Sequence, residues 1–175
     1  MIYIDSTALV KLAITEPESG ALAAWLAERS AHPLVSSSLH QAEVLRAIWR
    51  AEPAALPRGQ RIIRRIQRVV LSQEMLDNAA TVAPRKLGTA GAIHLASAIA
   101  LRRDLVGFVT YDKALYEAAA NALLPVASPS LPEDAPASPA AGAEDGVVDR
   151  DYLAVRICGL AGRGGVSDDF PAVGA

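Results

Sequence analysis

Three acidic side chains are spaced so that they could act together. The apolar run Ile2-Tyr3-Ile4 ends at Asp5, and Phe108-Val109-Thr110-Tyr111 ends at Asp112; both runs have the composition of short strands. Glu43 follows a further strand-like run, HPLVSS, and lies in the first turns of a helix through QAEVLRAIWRAE. In parallel α/β sheets ligands bind outside the carboxyl ends of the strands. Asp5 and Asp112 can therefore converge on one sheet edge, with Glu43 leaning over it. Hard carboxylate oxygens of this kind suit Mg2+ or Mn2+, ions that activate water and stabilise the charge of a phosphodiester under attack. Each acid also has a plainer use. Asp5 and Asp112 are placed to N-cap the helices starting STALV and KALYEAA, and a lone helical Glu is commonly just solvated.

The elements that would position these acids alternate between strand and helix. STALVKLAIT has Ala8, Leu9, Leu12 and Ala13 on one side, and ESGALAAWLAER carries Leu22, Trp25 and Leu26 as a buried stripe. Ser38, followed three residues later by Gln41, resembles a capping box. After the turn signal EPAALPRG, the stretch RGQRIIRRIQRVVL reads as one helix with Ile62, Ile63, Ile66, Val69 and Val70 inward. That helix would align Arg61, Arg65 and Arg68 at i, i+4 and i+7 on a basic face flanked by Arg58 and Arg64. Such a face suits RNA phosphates, or is simply a solvated arginine surface. A short helix near EMLDNAATVA follows, then one capped by Thr89 and running to about Arg103, the strand GFVTYD, a helix through KALYEAAANA, and LLPVAS as a final edge strand. Single or paired helices between strands imply an α/β fold, a three-layer α/β/α domain around a central parallel sheet.

Composition narrows the class. The 175 residues are 51% hydrophobic and 21% charged, enough for one cored domain plus a tail. Apolar runs are broken before the roughly 20 residues a membrane span needs. MIYIDSTALVKL has no basic leader, so no signal peptide is expected. One cysteine, Cys158, excludes an internal disulfide or a cysteine metal cluster. A cytoplasmic protein with no membrane association is the expectation. Residues 1–127 hold 14 Lys+Arg against 11 Asp+Glu, while 128–175 hold 3 against 8, so a mildly basic domain precedes an acidic tail. That tail, rich in Pro, Ala and Gly, is expected to be largely disordered, with DYLAVRICGLAG apolar enough for one short element.

Four blocks carry a resemblance. MIYIDSTALVKL, SSLHQAEVLRA, LGTAGAIHLASAIAL and FVTYDKAL, in this order and spacing, resemble the PIN-domain family, and most closely its VapC-type toxins of bacterial toxin–antitoxin pairs. The resemblance covers residues 1–127. It implies a PIN-like fold and a metal-dependent endoribonuclease whose acidic cluster holds Mg2+ or Mn2+. It also implies a small cognate antitoxin that covers the site, and a homodimer. Carried onto this chain, Asp5 is the first metal-binding acid, Glu43 the second and Asp112 the fourth; Ser6 and Thr110 match small hydroxyl positions beside them. The third position departs from the family pattern. Where an aspartate usually precedes the AIHLA-like run, this chain has Gly91, and Ala90 and Ala92 offer no oxygen either. Asp104, thirteen residues further along the same helix, would lie roughly 20 Å away at about 1.5 Å per residue. Arg61, Arg65 and Arg68 become candidates for RNA or antitoxin contact.

A glycine in the first helical turn also leaves N–H groups open where a carboxylate would be favoured. Two functions follow from the depleted site: a ribonuclease toxin of reduced activity, or a degenerate, non-cleaving domain that binds RNA or antitoxin. A haloacid-dehalogenase-type phosphatase is excluded because Asp5-Ser6-Thr7 lacks the second aspartate of a D-x-D pair. A receiver-type domain is excluded because the clustered TYDK does not supply an acid pair with separate Thr and Lys strand ends. His94 is expected to be packed or hydrogen-bonded on the apolar side of its helix, His40 is open to either reading, and His32 is expected on a surface loop. Trp25 and Trp49 fit helix packing or a hydrophobic dimer or antitoxin surface, with the core as the preferred expectation. With 5% aromatic residues, no base-stacking platform is evident.

Overall fold

The computed structural model describes residues 1–130. The expectations for the acidic tail and for Cys158 lie outside the described residues. The chain runs β1 (Ile2–Ile4), α1 (Ser6–Ala13), α2 (Ser19–Glu28), β2 (Leu34–Ser37), α3 (His40–Ala51), a 3-10 turn (Pro53–Ala55) and α4 (Leu56–Ile63). It continues through β3 (Gln67–Val69), α5 (Gln73–Thr81), α6 (Thr89–Ala100), β4 (Gly107–Val109), α7 (Lys113–Asn121) and β5 (Val126–Ala127). All strand pairs are parallel, in the order β3-β2-β1-β4-β5.

The period-2 alternation of β1 divides the core into the expected layers. Ile2 and Ile4 pack with Leu9, Leu12, Leu22, Val44 and Ile48, the faces of α1 to α3. Tyr3 points the other way, into Leu95, Ala98, Leu115 and Ala118 of α6 and α7. Val109 and Phe108 of β4 repeat the division, Val109 on the first side and Phe108 on the second. The sheet thus carries helices on both faces, as an α/β/α domain requires. After β1 the chain adds β2 and β3 on one side, then crosses to add β4 and β5 on the other. The switch point lies between β1 and β4, so the crevice there opens between Asp5 and the Thr110–Asp112 segment.

Four local expectations are corrected. RGQRIIRRIQRVVL is not one helix. α4 ends at Ile63, and Gln67, Arg68 and Val69 pair with Val35, Ser36 and Ser37 as an edge strand. The Ile63 and Ile66 spacing satisfies a helical period, but both are buried equally well through a turn, and the free edge of β2 supplies backbone partners that the propensity pattern does not register. Arg61, Arg65 and Arg68 therefore sit on a helix, a turn and a strand, not on one face. Thr89 is not a cap but the first helical residue of α6, behind Gly88, which makes no side-chain cap; that helix stops at Ala100. The Ser38–Gln41 capping box does not form, and α3 starts after Leu39 without a side-chain cap. Trp49 is not core: it is 64% exposed, whereas Trp25 is partly buried against the first core layer. Among the described residues no helix is long and apolar enough to cross a membrane.

Candidate active site at the sheet switch point

Asp5 is 2% exposed and performs the capping role its position suggested. Its Oδ1 accepts from the Ala8 amide at 3.0 Å and from Thr7 Oγ1 at 2.7 Å, while Oδ2 accepts from Thr110 Oγ1 at 2.9 Å. Thr110 Oγ1 in turn accepts from the Asp112 amide at 3.0 Å. Asp5, Thr110 and Asp112 are thus tied across the switch point, β1 to β4. Burial pushes the Asp5 carboxyl above its ordinary pKa, only partly offset by the hydrogen bonds from Thr7, Ala8 and Thr110 and by His94. Asp112 is exposed and caps α7, Oδ1 accepting from the Leu115 amide at 2.9 Å.

Glu43 reaches the same region from the first turn of α3. Its Oε2 accepts from Ser6 Oγ at 2.5 Å and from His94 Nε2 at 2.8 Å. Ser6 opens α1 directly after Asp5, so the two halves of the site share that helix start. Burial raises the Glu43 pKa, but the hydrogen bonds from His94 and Ser6 outweigh it, and the net shift is downward.

The residue that sequence reasoning did not connect to the site is Tyr3. Its ring is fully buried, stacked on Phe108 at 5.2 Å between centroids and edge-on to His94 at 5.9 Å. The Ser37 amide donates to its hydroxyl at 3.0 Å, and the hydroxyl lies 2.8 Å from His94 Nδ1. With the Tyr3 oxygen already accepting from Ser37, its own proton goes to Nδ1. That bond fixes His94 as the Nε2–H tautomer, aimed at Glu43. A backbone-to-carboxylate chain results: Ser37 N–H, Tyr3 O–H, His94 N–H, Glu43. A polar aromatic between two isoleucines on a buried strand, with a histidine among AIHLA, was the available signal. The partners are 91 residues apart, so no local pattern pairs them.

Gly91 stands three residues before His94 in the first turn of α6 and places no oxygen in this arrangement. A Cβ there would meet Leu87 Cδ1 at 2.9 Å, the end of a side chain able to move. Arg61, Arg65 and Arg68 are not brought together as a face; Arg61 and Arg68 are exposed and Arg65 is half-buried. His40 is buried, donating Nδ1–H to the Ser37 carbonyl at 2.6 Å, and His32 is on the surface.

Asp5, Glu43 and Asp112 are the acidic oxygen donors at this edge. Both Asp5 oxygens and Glu43 Oε2 are already engaged by internal donors, and Gly91 contributes nothing. Among the described residues no group of three or more His, Cys, Asp or Glu side chains is placed to hold a metal ion.

A family model described as "PIN domain" matches residues 2–121. Three curated Mycobacterium tuberculosis proteins are similar to this chain. "Ribonuclease VapC46" is 42% identical over 129 residues, spanning 74% of this chain and 98% of that protein. "Ribonuclease VapC47" is 34% identical over 132 residues, with 74% and 97% covered, and "Ribonuclease VapC35" 37% identical over 131 residues, also with 74% and 97% covered.

Proposed function

The chain belongs to the PIN-domain family, and on that premise we propose that it is the toxin of a toxin–antitoxin pair. Its activity is endoribonucleolytic, directed at RNA phosphodiesters and lowered by a depleted acidic edge. The observation that carries the reading is Gly91, which leaves Asp5, Glu43 and Asp112 around the switch point without a fourth carboxylate. Fewer ligand charges weaken divalent binding, and Mg2+ tolerates poor coordination geometry badly. Mg2+ or Mn2+ would supply water activation and charge neutralisation if bound, and Asp5, Glu43 and Asp112 are the residues that would hold it. Residues 1–127 form the acting unit. A cytoplasmic setting, a small cognate antitoxin and a homodimer complete the reading.

The chain's own residues hold the edge ready in a definite way. Thr110 and Thr7 orient Asp5, and His94 with Ser6 holds Glu43 ionised. A second reading, a non-cleaving module that binds RNA or antitoxin, is favoured by one observation: among the described residues the acids are not gathered into a group of three that could hold an ion.

Purified full-length protein, free of antitoxin, is assayed on RNA with Mg2+ or Mn2+ beside Gly91→Asp and Asp5→Ala. Weak cleavage by the parent that vanishes in Asp5→Ala is the expected result, and Gly91→Asp is expected to cut at least tenfold faster. It should also gain thermal stability on adding the metal, where the parent gains little. Cleavage by Gly91→Asp alone selects the second reading. Inertness of all variants together with failure to bind RNA or antitoxin refutes both.

A further inference from the structure

Trp49 is the one large aromatic of α3 that the fold leaves in solvent, 64% exposed. The contrast with Trp25 is informative, because the Arg29 guanidinium covers that ring at 4.1 Å, whereas among the described residues no ring or cation contact covers Trp49. Charged residues flank Trp49 in sequence. Arg46 precedes it by three residues, Arg50 follows it, and Glu52 lies three residues on, all exposed. Neither Arg46 nor Arg50 takes part in an ion pair among the described residues. Trp and Arg are both enriched at protein interfaces, so a second copy of the chain is the rival occupant that the test below separates. An unpaired basic pair around a bare indole has the two components of a single-strand nucleic-acid contact: phosphate-directed cations and a flat stacking surface.

Position connects this patch to the site. Glu43, Arg46 and Arg50 follow i, i+3, i+7 spacing, one stripe of α3. Arg50 stands about 10 Å further along the helix axis from Glu43 at about 1.5 Å per residue, and Trp49 borders the stripe beside Arg46. Val44 and Ile48 bury the opposite side of the helix, so the stripe keeps a fixed orientation to Glu43.

We propose that the exposed Arg46–Trp49–Arg50 face of α3 is a landing platform for single-stranded RNA, with Trp49 stacking one unpaired base and the two arginines holding neighbouring phosphates. It positions the strand leading to Glu43. The proposal rests on the RNA-directed function given above and adds the part of the surface that receives the strand.

The test measures binding without turnover. Full-length protein in EDTA is titrated into a fluorescently labelled, mixed-sequence single-stranded oligoribonucleotide and, separately, its duplex. Trp49→Ala is expected to weaken single-strand binding about tenfold, and Trp49→Tyr to restore most of it, as stacking increments predict. Arg46→Gln with Arg50→Gln is expected to flatten the salt dependence by about 1.4 in slope, from roughly 0.7 per phosphate contact. Unchanged unfolding midpoints show that the exposed substitutions leave the fold intact. Parent protein that binds no RNA overturns the functional reading and the platform with it. Parent binding that Trp49→Ala leaves unchanged overturns the platform alone. Equal losses on single strand and duplex, or loss of a dimer in sedimentation on Trp49→Ala, likewise overturn it, the last by showing a contact between copies.

Discussion

Removing one oxygen tests the buried chain that holds Glu43. In Tyr3→Phe the ring remains, its stack on Phe108 is retained and no cavity of consequence opens. What disappears is the hydroxyl between the Ser37 amide, 3.0 Å away, and His94 Nδ1, 2.8 Å away. Both partners are buried, Ser37 at 0% and His94 at 2% exposure, so water does not replace the lost group. A stranded buried donor or acceptor costs about 1–3 kcal/mol. Two of them, less some relaxation, give a destabilisation of roughly 2–4 kcal/mol by the same reckoning. Burial also pushes the Tyr3 hydroxyl well above its ordinary pKa, so it is a donor throughout the neutral range and the effect should not vary with buffer there. Equilibrium urea unfolding of parent and variant at neutral pH, with equal slopes, measures the difference. Glu43→Gln and the double variant complete a cycle in which His94 transmits the coupling, and non-additivity of about 0.5–3 kcal/mol is expected for one network. A loss below about 0.5 kcal/mol, the range of an ordinary surface change, would show that neither Ser37 nor His94 depends on the hydroxyl, and the chain drawn to Glu43 would be wrong.

Two further expectations concern acid titration and have opposite signs. Asp5 is held above the ordinary carboxylate pKa, chiefly by burial, so ionising it costs stability as pH rises past the unfolded-state value near 3.9. Asp5→Asn, which keeps an acceptor for the Ala8 amide, should gain on the parent in urea midpoint as pH is raised from 4 to about 7; a difference that shrinks over that interval contradicts the assignment. Glu43 is held below its ordinary value: burial raises it, but His94 and Ser6 outweigh that. Its contribution is therefore present above the unfolded-state pKa near 4.3 and is lost as pH falls through the folded value. Glu43→Gln should flatten the acid limb of the stability curve, and an unchanged limb would show that the His94 and Ser6 bonds do not stabilise the carboxylate.

What could be read from sequence follows from the range of the interaction involved. Asp5 and Asp112 were legible because a strand end and a helix start are local features, and parallel sheets place such ends on one edge. In Asp5 one oxygen caps α1 while the second accepts from Thr110. β3 was not legible, since Arg68 and Val69 continue the helical period of Arg61, Ile62, Arg65 and Ile66, and only the vacant edge of β2, some thirty residues earlier, decides for strand. Trp49 shows the one-way nature of hydrophobic burial: core positions demand apolar residues, but an apolar residue does not demand a core position. The least legible feature is also the one that most affects the chemistry. Gly91 carries no side-chain oxygen, while His94, three residues on in the same helix, donates a hydrogen bond to Glu43 and is fixed in that tautomer by Tyr3 from the first strand. A helix start that merely lacked a carboxylate would leave Glu43 free to meet an ion. His94 engages Oε2 of Glu43, and an ion drawn in by an acid at position 91 would compete with that bond. The gain in Gly91→Asp therefore reports on both residues, and should grow further when His94 is replaced by a residue that cannot donate.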